Sequence, residues 1–262
     1  MLGNVRIVLV LFGLVLALLL LLPLQLIALV FARFGMPKAS GYLPLMFHRV
    51  VLRLAGIRLT VDGTLPAHRP LLIVSNHVSW LDIVILGAVQ PLSFVAKSEM
   101  LTWPLFGKMA QLQRTVFIQR ERRRQSANQA NAIAERMAAQ ETMVLFPEGT
   151  TTDGNILLPF KTPLFEAARY ALVASSVEEA LVQPVAIVYS HLHGLPIGRA
   201  ERPHVAWPGD IGLGESLFPI LKMGALDVTV RLGDPIVFTE NSKRKIVSAE
   251  ATAAIGDMLL KR

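Results

Sequence analysis

Leu71-Leu72-Ile73-Val74-Ser75-Asn76-His77-Val78-Ser79-Trp80-Leu81-Asp82 reads as a short buried strand that runs into a polar Asn-His pair, with an aspartate five residues beyond the histidine. Were residues 77 to 82 all helical, positions five apart would lie about 140° apart around the axis and could not meet. His77 is therefore expected in the loop that leaves the strand, and Asp82 in the first turn of the next helix. Open α/β sheets place their chemistry at such strand ends. An imidazole with a carboxylate to orient it suffices to draw a proton from an alcohol. The same residues have a plainer reading: Ser79-x-x-Asp82 fits a capping box, and Asn-His is common turn chemistry.

Outward from this stretch the chain alternates. Apolar or β-branched runs at Ile57–Val61, Leu92–Ala96, Thr115–Gln119, Thr142–Phe146, Gln183–Tyr189 and Asp227–Leu232 join Leu71–Ser75 as predicted strands. Helical spacing falls between them, over Ser126–Gln140 and over Pro163–Ala174, where Pro163 suits a helix start. Alternation of this kind predicts an α/β fold, a mainly parallel mixed sheet flanked by helices. Pro184 is expected at the very start of its strand, and residues 190–226 are expected to be irregular.

The first 56 residues differ. Ile7 to Phe31 holds 25 positions without a charge, reaching about 37 Å as a helix, enough to cross a hydrocarbon core of about 30 Å. A spanning helix is the favoured reading and a monotopic anchor kinked at Pro23 the alternative. The run is too long for a signal peptide. Tyr42–Leu54 mixes apolar and basic residues at helical spacing, as an interfacial amphipathic helix does, or a helix packed on the domain. This gives residues 1–56 as membrane anchor and residues 57–262 as the α/β domain. Arg33, Lys38, Arg49, Arg53 and Arg58 follow the apolar run while only Arg6 precedes it, which predicts a cytoplasmic catalytic domain at the inner membrane.

Composition narrows the partners. The chain has 262 residues, a formal net charge of +7 and no cysteine, which excludes disulfides and any acyl intermediate on a protein thiol. With 53% hydrophobic residues, 7% aromatics and a mean hydropathy of +0.50, the basic chain points to membrane lipids and not to nucleic acid.

Three further constellations stand near strand ends. Arg114 and Arg120 bracket Thr115–Gln119, and a guanidinium fork suits phosphate or carboxylate. Phe146-Pro147-Glu148-Gly149-Thr150 follows the next strand, with Lys161 nearby as a positive charge. Glycine lets backbone approach a ligand, and the following hydroxyl and N–H groups suit an anionic head group. Val182-Gln183-Pro184-Val185 begins a buried strand. No ligand set for a metal is apparent.

Asn-His-x-x-x-x-Asp, Phe-Ile-x-Arg, Phe-Pro-Glu-Gly-Thr and a late Val-x-Pro-Val, in this order over roughly residues 60 to 235, resemble the glycerolipid acyltransferase family. The resemblance is greatest to 1-acylglycerol-3-phosphate acyltransferases. It implies acyl transfer from acyl-CoA or acyl carrier protein to the free hydroxyl of a lysolipid acceptor, giving phosphatidic acid, without cofactor or metal. It implies His77 as base and Asp82 as its orienter. Arg120 would bind the acceptor phosphate, and Glu148, Gly149 and Thr150 would help form the acceptor site. The oxyanion donors are expected among backbone N–H groups near Val78 and Ser79. Two departures bear on the acceptor: Arg114 stands where the family usually has glycine, and Thr151-Thr152-Asp153-Gly154 follows Gly-Thr where arginine is usual. These, with Val205-Ala206-Trp207, resemble lyso-ornithine lipid acyltransferases. O-acylation of lyso-ornithine lipid is thus the alternative, with Arg114 a modifier of acceptor choice. A membrane-tethered lipid-binding protein on the same fold is the non-enzymatic alternative, and it would have no use for His77 and Asp82 together.

Overall fold

The structure is a computed structural model describing residues 2–34, 38–119, 126–209 and 212–261. Seven strands appear where alternation of the sequence put them: β1 (Ile57–Asp62), β2 (Leu71–Ser75), β3 (Ser93–Lys97), β4 (Val116–Ile118), β5 (Met143–Leu145), β6 (Ala180–Leu192) and, after the short β7 (Leu195–Pro196), β8 (Leu226–Leu232). A further short strand, β9 (Ile236–Phe238), completes a sheet ordered β1-β8-β6-β2-β5-β3-β4, with β7 and β9 also on β6. β6, β2, β5, β3 and β4 run parallel, while β8 enters antiparallel to β6 and parallel to β1. The helices are α1 (Leu2–Arg33), α2 (Lys38–Leu54), α3 (Leu81–Gly87), α4 (Phe106–Leu112), α5 (Ser126–Ala138), α6 (Glu166–Ser175), α7 (Leu213–Met223) and α8 (Arg244–Leu260).

Both faces of the sheet are covered, which is why β2 and β5 are buried at every position and run apolar through Leu71–Val74 and Met143–Leu145 instead of alternating. Ile73, Val144, Val185 and Ile187 pack with Leu81 and Ile85 of α3 and Ile220 of α7. Leu72, Val74, Met143, Leu145 and Val182 turn to the other layer, against Ile133 of α5, Ala168 of α6 and Ile255 of α8.

Pro184 lies inside β6 and not at its start. On one side of β6 the partner is β9 up to Val182 and β8 from Val185 onward, so residues 183–184 fall at the changeover. The missing proline N–H costs no ladder bond there, and the Gln183 amide bridges the gap to Gly233 O at 2.6 Å.

α1 is long and apolar enough to cross a membrane. Side chains such as Val8, Leu19 and Leu20 stay exposed along it. Helix continues through Pro23. α1 is also tied to the body at two levels. The Arg6 guanidinium donates to Leu221 O at 3.0 Å and Ala55 O at 2.8 Å, entering between Gly56 and Gly224, where a Cβ would meet it within 2.8 Å. Further along, the buried Gln25 amide donates to Ser40 O at 3.0 Å and Leu112 O at 2.8 Å. α2 packs Leu45, His48, Val51 and Leu52 inward and leaves Tyr42 and Met46 exposed, so the helix is packed on the domain along one face. Two of the basic residues that follow the apolar run have partners on the domain: Arg49 Nε donates to Ala88 O at the end of α3 (3.0 Å), and the exposed Arg58 pairs with Asp227 (2.7 Å).

Candidate functional site

β2 ends because Asn76 takes over its ladder with a side chain. The Asn76 amide donates to Ile187 O at 3.1 Å and its Oδ1 accepts the Ile187 N–H at 2.8 Å. Backbone from residue 77 onward is thereby freed to leave the sheet, and α3 begins at Leu81. His77 lies in that loop and Asp82 in the first turn of α3, where the spacing argument put them.

The two side chains meet. His77 Nδ1 is 2.8 Å from Asp82 Oδ2. That same oxygen accepts the N–H groups of Val78 (2.7 Å) and Ser79 (2.8 Å), while Oδ1 accepts the Tyr189 hydroxyl at 2.6 Å. The capping reading and the orienting reading are therefore both true of one carboxylate: it closes the turn into α3 and holds the imidazole. Its burial is complete and its lone pairs are filled by four donors. Tyr189 is buried as well; burial first, and then the Asp82 charge, push its hydroxyl well above the usual phenol range, so it stays a donor. The His77 ring stacks on Phe146 at 4.0 Å and retains 15% side-chain exposure. With Nδ1 committed, Nε2 is the nitrogen open to a reacting group. An imidazole so fixed can accept a proton from a hydroxyl brought against Nε2.

The backbone N–H groups of Val78 and Ser79 are consumed by Asp82, and that of His77 by Glu148. Val78 and Ser79 themselves therefore have no backbone N–H to give an oxyanion.

Glu148 does a different job from the acceptor contact expected of it. It is buried, with Oε1 accepting His77 N–H at 2.6 Å and Oε2 accepting Leu158 N–H at 2.9 Å. Burial raises its carboxyl to about 7 against the pull of those two N–H groups. Glu148 clamps the loop after β5 onto the loop after β2. Gly149 adopts φ +78°, and a Cβ there would lie 2.6 Å from Lys161 Nζ. The glycine thus lets the Lys161 ammonium lie directly over the turn. Thr150 is exposed beside it, with Gly209 closing in from the other side. Gly149, Thr150 and Lys161 do come together, on the sheet edge where β2 and β5 end.

Arg114 does not join them. It precedes β4, so in a parallel sheet it stands at the opposite edge from His77, which follows β2. Its guanidinium pairs with Glu141 at 2.8 Å, itself just before β5. The backbone there is left-handed, φ +61°, a conformation that glycine takes without strain. Arg114 is therefore corrected from a modifier of acceptor choice to an ion-pair residue at the far edge. Arg114→Gly is expected to exchange backbone strain of about 1 kcal/mol for a partly exposed ion pair of about 0–1 kcal/mol. Its melting temperature and acceptor KM should both stay close to wild type; a severalfold KM change would return Arg114 to the site. Arg120 lies outside the described residues.

Sequence reading passed over Tyr189, because it reaches Asp82 across 107 residues on another strand. It also passed over Lys97, the exposed last residue of β3, opposite Ile118 in register and on the same edge as His77. A cation at the end of a predicted strand was the available signal. Among the described residues no three His, Asp or Glu side chains gather as a metal site.

A family model described as Acyltransferase matches residues 57–188, half of the chain, and takes in the loops that carry His77, Asp82, Glu148 and Lys161. The chain is 49% identical over 251 residues to a lyso-ornithine lipid O-acyltransferase of Brucella abortus, covering 95% of this chain and 91% of the relative. The chain belongs to the acyltransferase family. Within that family it is also 38% identical over 197 residues to a 1-acyl-sn-glycerol-3-phosphate acyltransferase of Neisseria meningitidis, covering 75% of this chain and 72% of that one. The crystal structure of the LPA acyltransferase PlsC from Thermotoga maritima shares its fold, with a TM-score of 0.64 over 99% of this chain and 97% of that chain at 17% identity.

Proposed function

We propose that this lysolipid acyltransferase moves a fatty acyl group from a thioester, acyl-CoA or acyl carrier protein, onto the free hydroxyl of lyso-ornithine lipid. The observation that carries the reaction type is the His77–Asp82 pair with Nε2 left open. His77 Nε2 takes the hydroxyl proton as the acceptor oxygen attacks the thioester carbonyl. The C–S bond then breaks, and the departing thiolate recovers the proton from the imidazolium. Asp82 fixes the tautomer and stabilises the imidazolium while it lasts. No protein nucleophile is required, because the acceptor supplies the alcohol.

The relatives that share most of the chain's length support the ornithine acceptor over 1-acylglycerol-3-phosphate. The phosphate acceptor is the second reading, favoured by the exposed cations Lys97 and Lys161 on the site edge. Side-by-side assays of the two acceptors with one acyl donor decide between them. Faster turnover of lyso-ornithine lipid is expected, and the reverse order would install the phosphate acceptor. The same assay run with a chelator should show unchanged rates; loss of activity restored by a divalent ion would overturn the metal-free mechanism.

Membrane attachment by α1 suits an acceptor that resides at the bilayer surface. Arg6 and Gln25 hold α1 to the body at levels roughly 28 Å apart along the helix. A body fastened at both levels supports an anchor that lies in one leaflet, beside the bilayer's cytoplasmic face, over an upright span.

A further inference from the structure

The loop that departs from the family pattern, residues 151–155, is pinned onto the histidine loop. Thr152 N–H donates to His77 O at 3.3 Å, and Thr151 Oγ1 donates to Trp207 O. Trp207 N–H in turn donates to Val78 O at 2.8 Å. Gly154 adopts φ +80°, and a Cβ there would lie 3.1 Å from Val78 Cγ1 and 3.7 Å from Arg202 Cβ. Arg202 completes the circuit by donating from Nη1 to Gly154 O at 3.2 Å. Asp153 thus sits between Thr152, which bonds the backbone of His77, and Gly154, which lies against the side chain of Val78.

Its carboxylate is fixed. Asn155 donates to it twice, from its backbone N–H at 3.0 Å and from its side-chain amide at 2.9 Å, and that amide also holds Arg199 O at 3.3 Å. These bonds, with Arg202 nearby, hold the Asp153 carboxyl below the usual carboxylate range. Both Asp153 and Arg202 keep partial exposure. The chain therefore removes a positive charge at position 151, whose hydroxyl is spent on Trp207, and presents a fixed anion and a cation side by side next to the site. That arrangement disfavours a phosphate, which Asp153 would repel. It complements a head group that bears an ammonium and a carboxylate.

The geometry points to Asp153 and Arg202 as the pair that reads a zwitterionic acceptor head group, Asp153 taking the ammonium and Arg202 the carboxylate. The assignment rests on the lyso-ornithine reading above and names the residues that select it. A bland role for Asp153, closing its own turn through Asn155, predicts equal damage to every acceptor, so acceptor chemistry separates the two.

The test uses the enzyme in mixed micelles with three acceptors, lyso-ornithine lipid, the same lipid with its amine acetylated, and 1-acylglycerol-3-phosphate, and adds the methyl ester of the lyso-ornithine carboxylate for the Arg202 variant. Asp153→Asn, which retains shape and an acceptor for the Asn155 N–H, is expected to lower kcat/KM for lyso-ornithine lipid at least tenfold, mainly through KM. Acetylating the amine should cost the wild type a similar factor and cost Asp153→Asn nothing further. Arg202→Gln should likewise penalise the free carboxylate and be indifferent to its methyl ester. Equal losses on all three acceptors, or an undiminished preference in Asp153→Asn, would overturn the assignment. A wild type that acylates only 1-acylglycerol-3-phosphate would instead remove the ornithine reading itself, and the assignment with it.

Discussion

His77→Ala should lower acyl transfer by a factor on the order of 10²–10⁴, the range for loss of a positioned general base, with the fold and membrane association retained. Retention follows from what the side chain touches. The ring stacks on Phe146 at the sheet edge and keeps 15% exposure, so little apolar surface is lost with it. Asp82, the buried partner, is not stranded: it still accepts Val78 N–H, Ser79 N–H and the Tyr189 hydroxyl. The Glu148 clamp also survives, because it grips the backbone N–H of residue 77 and not the imidazole. Turnover of one acyl donor with lysolipid, measured beside thermal unfolding in the same detergent, checks both halves. Near-wild-type turnover would remove His77 from the chemistry, and a collapsed melting temperature would make any rate loss uninformative.

The histidine and its carboxylate were legible because helix periodicity forbids their meeting within one helix, so a strand–loop–helix turn was the remaining geometry. The central strands were legible because burial on both faces makes them continuously apolar. Roles of the flanking residues were not, since they depend on strand direction and partners far along the chain. Arg114 reads in sequence as a strand-end cation like any other, yet the parallel direction of β4 puts it on the edge away from His77. Glu148 reads as a polar loop residue, and only the packing of two loops shows that both its oxygens are spent on backbone. Tyr189 lies at an inward position of a strand and reads as core. α7 was hidden by Gly214 and Pro219, which interrupt the helical pattern that packing of Ile220 and Leu221 restores. The departures at Thr151–Gly154 and Val205–Trp207 were visible separately; that they bond to each other and to Val78 required the structure.

Asp82→Asn carries the second large effect, and here the hydrogen bonds decide what kind of loss to expect. The Oδ2 position faces two backbone N–H donors, at 2.7 and 2.8 Å, besides the imidazole. An asparagine amide must place its oxygen there, since its NH₂ would confront donors. The NH₂ then meets Tyr189, whose hydroxyl can turn from donor to acceptor. Each contact remains a hydrogen bond, with only the Tyr189 bond reversed, and the imidazole keeps the same tautomer; what disappears is the negative charge that stabilises the imidazolium. The rate should therefore fall on the order of 10²–10³, through kcat with KM little changed. That is less than the roughly 10⁴ seen where the same substitution also disturbs the tautomer. Asp82→Ala behaves differently, because it leaves two buried N–H groups and a buried hydroxyl without acceptors, each costing about 1–3 kcal/mol. It should lose stability along with activity. Comparing the two variants by kcat and by melting temperature separates charge from capping. If Asp82→Asn retains wild-type kcat, the carboxylate is only a cap for α3. If it melts as early as Asp82→Ala, the amide has not taken the orientation that the two N–H donors impose.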